Sequence, residues 1–244
     1  MKKKKTTNFK NAGNGSDHED KVVNLFNKLG FHAERVGGKG NAPDIYAWDG
    51  NLKYGVECKA SEKGSASYVT FKAYYDFTTE TLSYKTNAEC KEVQQSKSRL
   101  FESIKESVTP YFKETKIIEI WCEDTKKNYS ALIPKNQPNS NKLKKEIVRK
   151  NDNIIVDSSL VYDILVAKGN DYLAIGSSII PLVDDYLHLP KLLTKKKAPN
   201  YFYVRVRSKK VKANSQEHSL EIQVFCGGYT HKTPKVNSKV KIER

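Results

Sequence analysis

Residues 44–59 constrain this chain more than any other stretch. Asp44-Ile45-Tyr46-Ala47-Trp48 and Tyr54-Gly55-Val56-Glu57-Cys58-Lys59 are β-prone runs, and Asp49-Gly50-Asn51 between them is rich in turn formers, so the segment predicts a β-hairpin. Alternation along the second strand puts Glu57 and Lys59 on one face and Val56 and Cys58 on the other. The turn returns that strand beside the start of the first, where Asp44 follows Pro43. Two carboxylates and one ammonium therefore converge.

Carboxylates held together repel unless a cation lies between them. Hard oxygen ligands with room for water suit Mg²⁺, which takes only one or two protein carboxylates, with Mn²⁺ as the expected substitute. Asp44 and Glu57 are the candidate ligands, and the backbone carbonyl of Cys58 is a further one. A metal so held polarises a phosphodiester oxygen and lowers the pKa of a bound water, and Lys59 is placed to orient that water and offset developing charge. The chemistry this predicts is phosphodiester hydrolysis.

Charge points to the same class of partner. Lys and Arg number 43 against 28 Asp and Glu, a formal net charge of +15, and such an excess favours a polyanion, nucleic acid first. The four cysteines are widely spaced with no CxxC pair, which argues against a zinc or redox site and for reduced thiols. The five histidines form no metal pattern. Met1 is followed by Lys2 to Lys5, but the stretch after them is polar where a signal peptide needs an apolar run, so the expected location is cytoplasmic and residues 1–15 read as a basic arm.

Ser16-x-x-Glu19 reads as a capping box opening a helix whose apolar positions are Val22, Val23, Leu25, Phe26 and Leu29, with Gly30 ending it. Residues 31–36 read as a strand and 37–41 as a flexible loop whose Lys39 is a candidate DNA contact. Beyond the hairpin, one or two strands are expected around 68–77, a helix from Thr86 or Asn87 to about Ser107 with Pro110 beyond its end, and a buried strand over 116–122. The pattern changes after Pro134. A basic helix over 141–150, a strand at 153–156, a helix over 158–168 and a hairpin of 201–212 with 219–225 are expected there, while 231–244 reads as either a last strand or a tail. The expected division is a basic arm (1–15), a core (16–134) and a basic α+β extension (135–244).

Gly15-Ser16-Asp17-His18-Glu19 at the helix start, Asn41-Ala42-Pro43-Asp44-Ile45, and Gly55-Val56-Glu57-Cys58-Lys59-Ala60-Ser61 together resemble the PD-(D/E)xK nuclease superfamily, closest in local wording to archaeal-type Holliday junction resolvases. The resemblance covers residues 15–122. It implies an α/β, restriction-endonuclease-like fold: an αβββαβ core around a central mixed four-stranded sheet, here with a C-terminal α+β elaboration. It also implies that Asp44 and Glu57 bind the metal, that Lys59 is the catalytic lysine, and that Glu19 is the additional acidic residue facing the same site. Gln94 or Gln95, on the helix after that lysine, would be auxiliary.

Each assignment has a plainer alternative. Glu19 serves equally as the acidic half of a capping box, Asp44 as a turn aspartate, and Glu57 and Lys59 as the solvated face of an edge strand. Arg205, Arg207, Lys209 and Lys210, interleaved with aromatics, read either as a DNA-contacting ribbon or as a lysine-protected sheet edge. A chain much longer than a minimal resolvase is expected to read sequence in duplex DNA, as a type II restriction-like endonuclease acting as a homodimer. Junction resolution and non-catalytic nucleic-acid binding are the alternatives.

Overall fold

The computed structural model describes residues 9–36, 42–60, 67–76, 78–85, 89–114, 117–122, 127–132, 154–176, 178–190, 198–210 and 218–230. It is a mixed α/β chain with two sheets, and three helices among the described residues. It divides into two compact units, each built from separated segments: residues 1–66, 158–200 and 228–244 in the first, and 67–157 and 201–227 in the second. The chain is thus not divided in sequence order at residue 134.

In the first unit, α1 (Phe9–Lys28) precedes β1 (His32–Arg35), β2 (Ile45–Asp49) and β3 (Leu52–Lys59). These three strands pair antiparallel in order, with Ile45 opposite Val56 and Ala47 opposite Tyr54, so the predicted hairpin is present. Gly50 sits at its turn with φ +59°, a conformation glycine adopts without strain. After the excursion of residues 67–157 the chain returns as α3 (Ser158–Ala167), then β9 (Tyr172–Ile175) and β10 (Ser178–Pro181). Strand β9 runs parallel to β3, Val56 opposite Tyr172 and Lys59 opposite Ile175, giving a five-stranded mixed sheet in the order β1-β2-β3-β9-β10.

Within the first unit the elements run α1-β1-β2-β3-α3-β9-β10, while the helix expected from 86 or 87 to about 107 and the strand over 116–122 lie in the second unit. A parallel neighbour for β3 requires a crossover, and the crossover here carries the whole of 67–157 before its helix. Strand β9 suits the central position because all four of its residues are buried, and α3 is buried over most of its surface. One face of the sheet packs on Val22 and Phe26 of α1 through Ile45, Ala47, Tyr54, Val56, Tyr172 and Ala174, with Cys58 against the same cluster.

Helix α1 starts earlier than expected, so Ser16 lies within it and caps nothing. Instead Ser16 Oγ accepts from Arg35, which Glu19 and Asp20 also hold. Residues 1–8 of the expected basic arm lie outside the described residues.

The second unit contains β4 (Ser67–Asp76), β5 (Thr81–Tyr84), α2 (Lys91–Glu114), β6 (Ile117–Cys122), β7 (Lys127–Leu132), β8 (Ile155–Val156), β11 (Ala198–Lys210) and β12 (His218–Thr230). Its seven strands follow the path β5-β4-β12-β11-β8, with β7 joining β12 to β6. The strands expected around 68–77 and over 116–122 are present, and β7 was not foreseen. Helix α2 runs past Pro110 rather than ending before it. Val108 and Phe112 are fully buried on its last turns, and that burial offsets the ~3 kcal/mol a helix-interior proline costs. The basic helix expected over 141–150 and the segment 231–244 lie outside the described residues.

A glycine fixes how closely the β3·β9 connection approaches. The turn Gly169-Asn170-Asp171 lies against Gly55: Asp171 N donates to Gly55 O at 2.8 Å, and Gly55 N donates to Asp171 Oδ2 at 2.9 Å. A Cβ on Gly55 would fall on the carbonyl oxygen of Gly169 and within 2.6 Å of Pro43 Cγ. Gly55→Ala is expected to lower stability by about 3 kcal/mol, read as a lower urea midpoint at unchanged m-value.

Candidate active site

Alternation on β3 places Glu57 and Lys59 side by side, and Lys59 Nζ donates to Glu57 Oε1 at 2.6 Å. Both side chains are largely withdrawn from solvent, 9% exposed for Glu57 and 14% for Lys59, which excludes the solvated-edge reading of this pair. Asp44 joins them from the residue before β2. Its backbone N donates to Val56 O at 3.1 Å and its Oδ2 accepts from Cys58 N at 2.7 Å, so both its main chain and its side chain are held on β3. The hairpin thus brings Asp44, Glu57 and Lys59 together, as the sequence predicts.

Two buried carboxylates and one ammonium set the electrostatics of the cluster. Burial first, and then the facing Glu57, push the Asp44 carboxyl up from 3.8 to about 6, with Glu19 adding to the repulsion. Burial also works against an ionised Glu57, but the adjacent charge and hydrogen bond of Lys59, with Lys168 behind them, hold its carboxyl below the usual range. Burial opposes the Lys59 ammonium, and Glu57 and Asp44 outweigh it and raise its pKa. Cys58 turns its thiol toward the α1 core, where burial and three neighbouring carboxylates push it up and keep it protonated.

Asp44 and Glu57 each use one oxygen on the chain itself, and among the described residues neither second oxygen has a hydrogen-bond partner. A pair of hard oxygens whose mutual repulsion a cation would relieve fits Mg²⁺. Among the described residues no group of three His, Cys, Asp or Glu side chains is placed to hold a metal, so backbone oxygen and water would complete the shell.

The remaining predicted residues are placed as follows. Glu19 spends its Oε2 on Arg35 at 2.9 Å, although its charge reaches both Asp44 and Cys58. Gln94 and Gln95 lie on α2 of the second unit, and Gln94 Nε2 donates to Glu89 O at 2.7 Å. Lys39 lies outside the described residues. Arg205 is half-buried on β11, its guanidinium 4.8 Å from the ring centre of Tyr203 and 5.3 Å from that of Phe225. Strand β11 pairs with β12 on one side and, at Phe202 and Tyr203, with β8 on the other. Arg207, Lys209 and Lys210 belong to the same strand, with side chains outside the described set. Lys168, after α3, was missed; the signal was a basic residue at the end of an apolar helix before Gly169, legible only once that helix is known to precede the strand beside β3.

The chain matches no protein-family model, no curated protein and no solved structure. Among the described residues no helix is long and apolar enough to cross a membrane.

A carboxyl whose folded pKa is raised carries more protons in the folded state, so its contribution to stability is lost as pH rises from its unfolded value through its folded one. For Asp44 that window is pH 4 to 6. Glu57, shifted the other way, loses its contribution as pH falls below that window. With EDTA present, Asp44→Asn is expected to remove a fall in stability on the order of 2 kcal/mol between pH 4 and 7. Melting curves across that range, parent against variant, check it.

Proposed function

We propose that the chain is a Mg²⁺-dependent DNA endonuclease of the PD-(D/E)xK type, with the first unit as its restriction-endonuclease-like core. The observation that carries this reading is the convergence of Asp44, Glu57 and Lys59 on one hairpin, inside an α-β-β-β-α-β order whose last strand runs parallel beside β3. Order and triad arise from separate parts of the sequence, and their agreement is the support for the family.

In this reading Asp44 and Glu57, with the Cys58 carbonyl, hold the cation, which when bound supplies Lewis acidity at the phosphodiester and a more acidic water. The chain's own groups do the rest. Cys58 N fixes the rotamer of Asp44, and Glu57 holds the Lys59 ammonium at a defined place. Lys59 then orients the attacking water and stabilises the charge that builds on phosphate oxygens. Lys59, with a smaller contribution from Lys168, keeps Glu57 ionised.

The second unit, of which residues 67–157 are spliced into the β3-to-α3 crossover, is assigned a substrate-reading role distinct from the chemistry, and with it site-specific cutting of duplex DNA. Cutting both strands would engage a homodimer, because one site serves one strand.

Supercoiled plasmid and a synthetic four-way junction, each with Mg²⁺ or EDTA, test the reading. Discrete plasmid fragments with Mg²⁺ alone are expected. Selective junction cutting would replace site specificity by resolution, and cutting of neither would reject the nuclease. Lys59→Ala and Asp44→Asn are each expected to slow cleavage by at least about a hundredfold while DNA affinity stays within about threefold, measured by anisotropy in EDTA.

A further inference from the structure

The face of the five-stranded sheet that carries Glu57 and Lys59 has two unlike halves. On the β9 side, Leu173 opposite Glu57 and Ile175 opposite Lys59 are fully buried. On the other side the same face continues through Lys53, Tyr46, Trp48, Glu34 and His32, fixed there by the pairs Tyr46 with Gly55, Trp48 with Lys53, Glu34 with Tyr46 and His32 with Trp48. Tyr46 and Trp48 are only half-buried, and His32, Glu34 and Lys53 are exposed.

These side chains form one continuous strip. The His32 and Trp48 rings are 5.1 Å apart, those of Tyr46 and Trp48 are 6.0 Å apart, and Lys53 Nζ stands 4.1 Å from the centre of the Tyr46 ring. Tyr46 is two residues along β2 from Asp44, and Trp48 two further, steps of about 7 Å each. Rings that served only the core would lie on the α1 side, where Ile45 and Ala47 of the same strand are fully buried.

We propose that this strip binds unpaired nucleotides of a DNA strand, with Tyr46, Trp48 and His32 as stacking surfaces and Lys53 on a phosphate, and leads that strand to Asp44 and Glu57. The stacking stands on the strip alone, and only its purpose rests on the nuclease reading. The strip carries one exposed lysine and one exposed glutamate, Lys53 and Glu34, and so lacks the concentrated positive charge that duplex phosphates reward, whereas every base has a face that an aromatic ring can meet.

The test uses the full chain in EDTA, so that nothing is cut. The sequence holds two tryptophans, and Trp121→Phe leaves Trp48 as the sole reporter. Oligothymidine is expected to quench its emission, and blunt duplex of equal length is not. In anisotropy titrations of labelled oligothymidine, which need no Trp121 change, Trp48→Ala and Tyr46→Ala should each weaken binding about tenfold, and Trp48→Phe should restore most of it. Emission unmoved by oligothymidine, equal quenching by blunt duplex, or Trp48→Ala binding as tightly as the parent would each overturn the proposal. Quenching without Mg²⁺-dependent cleavage of any DNA would reject the nuclease and leave the stacking site standing.

Discussion

The parallel pairing of β3 with β9 is the contact on which the rest of the first unit depends. It joins residues 116 positions apart, and at its start the backbone of Gly55 is bonded on both sides to Asp171. That pairing makes β3 an interior strand. An edge strand would leave Glu57 and Lys59 in water, where a short ion pair is worth little and shifts no pKa. With β9 in place the same two side chains are shielded, and the facing carboxylates of Glu57 and Asp44 interact strongly enough to push the Asp44 carboxyl up.

The hairpin was legible because its determinants are local. A turn tripeptide, strict alternation and a charge pair two residues apart fix register and face together, and Ile45 opposite Val56 is the register they imply. The start of α1 was misread because Ser16-x-x-Glu19 satisfies the capping pattern while the helix extends seven residues before it, and Arg35 recruits the same side chains for a tertiary ion cluster. The partner of β3 was misread for a different reason. Two helix-then-strand pairs follow the hairpin, residues 91–122 and 158–175, and nothing local says which returns to it. What separates them is burial: Tyr172-Leu173-Ala174-Ile175 has no polar side other than one phenol, and that phenol accepts from Leu187 N and meets Asp185 within the same unit.

Two positively charged features of the sequence also part company. Lys59 is fixed by its carboxylate neighbours and reads as chemistry. Arg205, on an alternating strand with aromatics, lies over the rings of Tyr203 and Phe225, a packing role that alternation alone does not distinguish from an outward-facing one. What settles it is the neighbouring strand β12, whose Phe225 ring lies 5.9 Å from that of Tyr203 and meets the same guanidinium.

The interleaving of the two units sets the order in which the chain can become competent. Asp44, Glu57 and Lys59 are all synthesised early, but β9 follows more than a hundred residues later, and at about 5–20 residues per second a ribosome needs several seconds or more to supply it. Until then the hairpin has an open edge, and closing so long a loop is the kind of nonlocal step that slows folding. The residues of the cluster are therefore written well before the strand that shields them, and the cluster is complete only once that strand has paired.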